Sequence, residues 1–261
     1  PNLTPLTLEL GGKSPVLIAD DYPIEQAAAR IATGKWFNGG QTCIAPDYVL
    51  LPKGKRDDFV KALRKEVQAR YGENLENLGD YTRIINDGQY ARLKGHLDDA
   101  KARGIEKVTL AGHADPAQRL LPPTLLLEPG DDATVMQDEI FGPLLPIRSY
   151  KSLDEAIAYV NGRDRPLALY PFSNDRATVE KILRSTLAGG VSVNDTLFHF
   201  AVSGLPFGGI GPSGMGAYHG RAGFDATSKQ LPILWQARRT GADLLKPPYR
   251  KAQWLIDLIV R

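Results

Sequence analysis

Short apolar runs alternate with amphipathic stretches of about ten residues or more along most of this chain, and that alternation constrains the fold more than any other feature. Val16-Leu17-Ile18-Ala19 reads as a buried strand. Asp21 ahead of Pro23 then offers an N-cap and a first-turn proline. A helix follows over 24–37, with Ile24, Ala27, Ala28, Ile31 and Trp36 along one face. Residues 48–51 read as a strand stopped at Pro52, and 55–71 as a helix with Phe59, Val60, Leu63 and Val67 inward. The pattern then repeats: helix over 87–103 ended by Gly104, strands over 107–110 and 124–127, and a helix running to Val160 from the capping box of Ser152 and Glu155. Strand, helix and strand follow over 167–172, 176–185 and 191–194. Strands joined through helices pair in parallel, and each crossover lays its helix on the sheet. The expected fold is therefore α/β: a three-layer parallel sheet with helices on both faces.

Both ends depart from this pattern. Pro1-Asn2-Leu3-Thr4-Pro5 lacks an initiator methionine and runs straight into the alternating Leu6-Thr7-Leu8-Glu9-Leu10, so the chain reads as a piece of a longer one. Residues 204–216 hold six glycines, too many for a regular element. Beyond Gly223 the pattern predicts one weak strand over 230–235 and a short helix over 251–259. Such a tail suits packing across the molecule or onto a second subunit.

Lys and Arg total 32 against 30 Asp and Glu, so a net charge of +2 gives no reason to expect nucleic acid or an anionic membrane as partner. One cysteine rules out an internal disulfide, which fits a reducing compartment. With no signal peptide and no apolar run of membrane length, the cytoplasm is the expected location. His96, His113, His199 and His219 show no metal-ligand spacing, so no metal is assigned.

The lone Cys43 lies in Asn38-Gly39-Gly40-Gln41-Thr42-Cys43-Ile44-Ala45-Pro46, a loop composition that lets backbone approach something closely. A free cysteine is often core filler, and it can also be a nucleophile if the chain supplies a base and donors for a developing oxyanion. Glu9, ahead of Gly11-Gly12, is a candidate base, expected at the carboxyl edge of a parallel sheet where α/β sites assemble. A strand-end glutamate in solvent is the alternative. Glu139 and Phe141, in Asp138-Glu139-Ile140-Phe141-Gly142-Pro143, pair a carboxylate suited to ribose hydroxyls with a ring suited to a planar partner. An ordinary loop is the other reading. Residues 205–214 are glycine-rich without the pattern of a phosphate-binding loop, and read as close-packed backbone near a site.

Four of these segments together resemble the aldehyde dehydrogenase superfamily. Glu9-Leu10-Gly11-Gly12-Lys13 and Gly40-Gln41-Thr42-Cys43 look like its two signatures, and Glu139-Ile140-Phe141-Gly142-Pro143 and Pro206-Phe207-Gly208-Gly209 match two further motifs in the right order. Residues 40–48 and 213–220 are similar to the class 3 branch, which includes fatty and aromatic aldehyde dehydrogenases; residues 193–200 resemble its coniferyl aldehyde dehydrogenases. The resemblance implies Cys43 as nucleophile, Glu9 as the base activating water, Glu139 as the holder of the nicotinamide ribose and Phe141 as a ring beside the nicotinamide. It implies NAD or NADP as cofactor, a small aldehyde as substrate and a homodimer. It also implies a domain organisation: 1–10 as the last strand of a dinucleotide-binding domain not in this chain, 11–205 as the catalytic domain, 206–230 as a segment returning to the cofactor domain, and 231–261 as an oligomerisation strand with a C-terminal helix. On that organisation the chain alone is expected to be inactive. Two alternatives stand beside it: a coenzyme A-acylating relative, which Glu9 argues against, and a non-catalytic assembly domain.

Overall fold

The structure is a computed structural model that describes residues 3–75, 79–241, 247–249 and 253–260. Contacts divide the chain into two units, Pro1–Thr227 and Ser228–Arg261. In the first, a seven-stranded sheet is built from β2 (Pro15–Ile18), β3 (Tyr48–Pro52), β4 (Glu106–Thr109), β5 (Thr124–Leu127), β6 (Leu144–Tyr150), β7 (Ala168–Phe172) and β8 (Gly190–Val191), in the order β4-β5-β6-β3-β2-β7-β8. Every pairing is parallel except β4 with β5. Only a short 3-10 turn, Pro116–Gln118, separates β4 from β5, too short to be a crossover, so the chain turns back on itself there. A separate two-residue strand, β1 (Leu8–Glu9), pairs antiparallel with β9 (Gly214–Met215).

Six helices of this unit are α1 (Ile24–Trp36), α2 (Arg56–Tyr71), α3 (Asp87–Ala102), α4 (Thr134–Gln137), α5 (Leu153–Asn161) and α6 (Arg176–Ser185). Alternate strand residues point to opposite faces, and two cores form accordingly. Val16, Ile18, Val49, Leu51, Tyr170 and Phe172 pack with Ala28 and Ile31 of α1 and Phe59 and Leu63 of α2. Leu17, Leu50, Leu126 and Leu169 pack with Leu93 of α3, Ile157 of α5 and Ile182 of α6. The three-layer expectation holds, with helix bounds within a residue or two of those read from periodicity.

The structure corrects several expectations. β6 was not expected; it lies between β5 and β3 and pairs in parallel with both, with Pro146, which lacks a ladder donor, in its interior. The strand expected over 191–194 is only two residues long, since Asn194 turns left-handed at φ 58°. A helix not expected from the pattern, α7 (Gly220–Ala226), follows β9. In the second unit, residues 230–235 are not a strand: they are irregular and exposed, Trp235 by 90%, and find no ladder partner among the described residues. An edge strand needs a second edge to pair with. The C-terminal helix, α8, spans Gln253–Ile259; Lys251 and Ala252 of the expected helix lie outside the described residues. No helix among the described residues is long and apolar enough to cross a membrane.

Candidate active site

The three segments that carry candidate side chains each precede a parallel strand: Glu9 to Ser14 leads into β2, Gly40 to Asp47 into β3, and Glu139 to Pro143 into β6. Because β2, β3 and β6 run the same way, with Pro15 beside Tyr48 and Val49 beside Ile147, their lead-in loops gather at the amino edge of the sheet. This corrects the expectation that Glu9 sits at the carboxyl edge. The loops at that edge come out of α1 and α4 on their way into strands, and a crossover always returns the chain to the end from which parallel strands start.

The Cys43 loop leaves α1 through three left-handed residues, Asn38, Gly39 and Gly40. Gln41 pins the turn: its backbone N–H donates to the Asn38 carbonyl at 3.1 Å, its amide donates to the Arg83 carbonyl at 3.0 Å, and its Oε1 accepts from the Ile85 N–H at 3.0 Å. The Tyr170 hydroxyl, donating from β7, holds the Ile44 carbonyl at 2.5 Å. A Cβ on Gly40 would lie 2.2 Å from the Gly142 carbonyl oxygen at a φ of 76°, so only glycine lets this loop pack on the Glu139 loop. Cys43 is half-buried. Burial, then the Glu9 and Glu139 carboxylates, push its thiol above the usual range, while the N–H groups of Cys43 and Ile44 draw it partly back. The thiol therefore has backbone donors beside it and two carboxylates in its electrostatic surroundings.

Glu139 is half-buried, and desolvation raises its carboxyl to about 7 against the pull of the Gly12 N–H, Lys13 and Arg92. Its carboxylate rests over Gly11, where a Cβ would come within 2.6 Å of Oε2. Phe141, two residues on, is 41% exposed and left-handed at φ 46°. An open cleft of about 540 Å³ lies along Glu139, Phe141, Gln41 and Arg92.

Glu9 is largely exposed; what shielding it has raises its carboxyl, and His219 draws it back. Its place depends on the glycine-rich segment. Glu9 pairs with Gly214, and the Leu10 and Gly11 N–H groups donate to the Ser213 carbonyl at 3.2 and 3.4 Å. Phe207 anchors that segment at the centre of an aromatic cluster, 5.7 Å from Tyr218, 6.0 Å from His199 and 5.6 Å from His219. His199 Nε2 and His219 Nδ1 are buried and find no hydrogen-bond partner among the described residues. Among the described residues no three His, Cys, Asp or Glu gather as metal ligands do.

All four candidates thus lie at one edge, with Glu9 and Glu139 both acting on Cys43. Sequence reasoning assigned no part to Lys13, Asp47, Arg92 or the buried Lys35, which sit behind them. Burial and the neighbouring Lys13 depress the Lys35 ammonium to about 8, although Asp47 and Glu139 oppose this. Lys13 and Asp47 stand in the very motifs that carry Glu9 and Cys43, but nothing local marks a lysine and an aspartate 34 residues apart as partners.

Comparison with known proteins fits this geometry. The profile of the aldehyde dehydrogenase family matches residues 1–231. The chain is 51% identical over 251 residues to a probable coniferyl aldehyde dehydrogenase of Pseudomonas aeruginosa, covering 96% of this chain and 52% of that protein. It is 43% identical to the 4,4'-diaponeurosporen-aldehyde dehydrogenase of Staphylococcus aureus, over 95% of this chain and 53% of that one. The substrate-bound structure of Staphylococcus aureus AldH superposes with a TM-score of 0.92 at 42% identity, over all of this chain and 56% of its own. A Mycobacterium tuberculosis aldehyde dehydrogenase complexed with NAD+ superposes at 0.81 and 28% identity, over 91% and 49%. The chain spans about half the length of the curated relatives it matches. With a family profile covering most of its length and relatives this similar, the chain belongs to the aldehyde dehydrogenase family.

Proposed function

We propose that this chain supplies the catalytic half of an NAD(P)-dependent aldehyde dehydrogenase that oxidises an aromatic, coniferyl-type or medium-chain aldehyde to its acid. The observation that carries the reading is the convergence on one thiol: Cys43 lies half-buried with its own and the Ile44 N–H groups turned toward sulfur and with Glu9 and Glu139 as the acting charges. In this reading a carboxylate takes the thiol proton, and Cys43 sulfur attacks the aldehyde carbon to give a thiohemiacetal. The N–H groups steady the oxygen that becomes negative. Glu139 and Phe141 would hold the nicotinamide end of NAD(P)+, which would supply the acceptor for the hydride on that carbon. The thioester then left on Cys43 is opened by water whose proton passes to Glu9, releasing the acid and the thiol.

Glu139 and Phe141 fit a bound nicotinamide riboside in kind: two carboxylate oxygens for vicinal hydroxyls and an exposed ring for a planar group. We assign the remaining cofactor contacts to the half of the relatives' length that this chain does not span. Residues 1–10 are then the last strand of the cofactor domain, 11–205 the catalytic domain, 206–230 the segment returning toward the cofactor domain, and 231–261 the dimer contact and C-terminal helix. On this reading the whole enzyme is a cytoplasmic homodimer, and the chain alone is inactive. The exposed, apolar Leu231, Ile233, Leu234 and Trp235 support the dimer contact.

One observation favours a variant reading of the base. Glu139, held at about 7, is tuned nearer to neutrality than an exposed glutamate, which suits proton transfer at physiological pH. Single-turnover kinetics separate the two: the variant that slows thioester hydrolysis while sparing the hydride burst, Glu9→Gln or Glu139→Gln, identifies the base. The reading as a whole is tested by Cys43→Ala in the full-length protein. Aldehyde oxidation falls at least about 10³-fold if Cys43 is the nucleophile, and activity that survives the substitution sinks the assignment.

A further inference from the structure

The segments carrying Glu9, Cys43 and Glu139 are far apart in the chain, yet one buried ion pair ties all three together. Lys13 lies four residues after Glu9, and Asp47 four residues after Cys43. Their side chains are paired, with only 11% and 4% of each exposed. The same Lys13 Nζ donates to the carbonyls of Val135 and Asp138, each at 2.8 Å. Asp47 Oδ1 accepts the Ile140 N–H at 2.9 Å, and the Asp47 N–H donates to the Ser14 carbonyl at 2.8 Å. From the outer side Arg92 of α3 donates to the Glu139 and Ile140 carbonyls at 3.2 and 2.6 Å. The loop that presents Glu139 is therefore held by side chains from three other elements. Its strained residue, Phe141 at φ 46°, lies directly after the atoms so held.

We propose that Lys13 and Asp47 are positioning residues that fix the Glu139 carboxylate relative to the Cys43 thiol. Neither is needed merely to fill space, because an apolar pair would bury as well without desolvating two charges. What an apolar pair lacks is the directed set of donors and acceptors that reaches from Lys13 and Asp47 to the backbone on both sides of Glu139. The inference rests on the reading of Cys43 and Glu139 as site residues, but its test needs neither substrate nor cofactor, so the two fail separately.

The chain has a single cysteine, so alkylation by iodoacetamide reports Cys43 alone. Only the thiolate reacts, and the rate at fixed pH follows the charges facing the sulfur: Glu9 and Glu139, with the Tyr170 and Tyr218 phenols beside it. Glu139 in turn faces Asp47, Lys13 and Arg92, and Lys35 faces Glu139 and Asp47. At pH 8, above the point where Glu139 ionises, Glu139→Gln removes a negative charge and speeds alkylation by about threefold, the effect of roughly half a pKa unit. In a chain carrying Lys13→Met with Asp47→Asn, which removes both charges together, the loop is released and Glu139→Gln changes the rate by less than about 1.3-fold. Circular dichroism establishes that this double variant is folded. A threefold Glu139→Gln effect that persists in it overturns the proposal, since the carboxylate then keeps its place without the pair. If the double variant does not fold, the isosteric Asp47→Asn is read instead. It keeps an oxygen for the Ile140 N–H but deprives Lys13 of its counter-charge, and the Glu139→Gln effect falls well below threefold. An undiminished effect in folded Asp47→Asn overturns the proposal equally.

Discussion

The Cys43 and Glu139 loops and the Glu9 strand meet at one sheet edge, but they are held in opposite ways. The first two are packed backbone against backbone through Gly40 and Gly142, and crossed by Lys13, Asp47 and Arg92 from behind. Glu9 stands in a two-residue ladder against a glycine-rich segment, exposed on its outer side. On the proposed reading, a thiol that must meet a carbon at one angle gains from rigidity, whereas a residue that handles water can sit on a lighter arm. On that reading, loss of Glu9 should harm chemistry without harming the fold, and damage to the other two loops should harm both.

The sharpest break comes on the rigid side. Lys13→Met alone leaves Asp47 buried without its partner, and unfolding by urea should show a loss of about 3–5 kcal/mol. Restoring balance with Asp47→Asn should return much of it. Gly40→Ala places a methyl group inside contact distance of the Gly142 carbonyl in a left-handed backbone, and a loss of roughly 2–4 kcal/mol is expected by the same measurement. If Gly40→Ala is neutral, the two loops are not locked together as described.

On the lighter side, Glu9→Gln should leave the urea midpoint within about 0.5 kcal/mol of the parent. In the full-length enzyme it should slow thioester hydrolysis by about 10²–10⁴-fold, as loss of a general base does. A large stability loss would show that the Glu9 arm is as firmly built in as the Cys43 loop.

The smallest effect is a pH dependence. The folded chain holds Glu139 at about 7, above its unfolded value, so it binds the proton more tightly than the unfolded chain does. That contribution is fully present below pH about 4.5 and is lost as pH rises through about 7. Glu139→Gln removes the loss: its melting temperature should gain on the parent between pH 5 and 7.5, by an amount that solvent screening at this half-buried group reduces to about 1 kcal/mol, and hold level above. A difference that does not change with pH would mean the carboxyl is not desolvated.

Much of the scaffold was legible because its signals are local. The periodicity of α1, α2, α3 and α6, the glycine after α3 and the capping box of α5 sit within a few positions of one another; Asp21, expected to cap α1, instead accepts from Ser173, Asn174 and Asp175, distant partners that only folding supplies. β6 was missed, although Pro146's absent donor matters little in a strand whose other residues bond on both sides, as Pro171 within β7 also shows. The reversal of β4 depended on what joins it to β5, and the expected strand over 230–235 depended on a partner edge. Of the site, Cys43, Glu9, Glu139 and Phe141 stood out by residue type and motif. The edge on which they meet did not, because it follows from the order of crossovers and not from any one segment.

By itself the sequence determined most of the stretches that become strands and helices, that they alternate into a covered sheet, and which four side chains stand in the family's motifs, since all of these rest on neighbours in the chain. Only the tertiary structure decided that the site lies at the amino edge, that Glu139 is lifted to about 7, and that Lys13 and Asp47 brace it. Desolvation and ion pairing arise between segments brought together by folding, and a charged residue carries no mark in its own neighbourhood of which distant partner will share its burial.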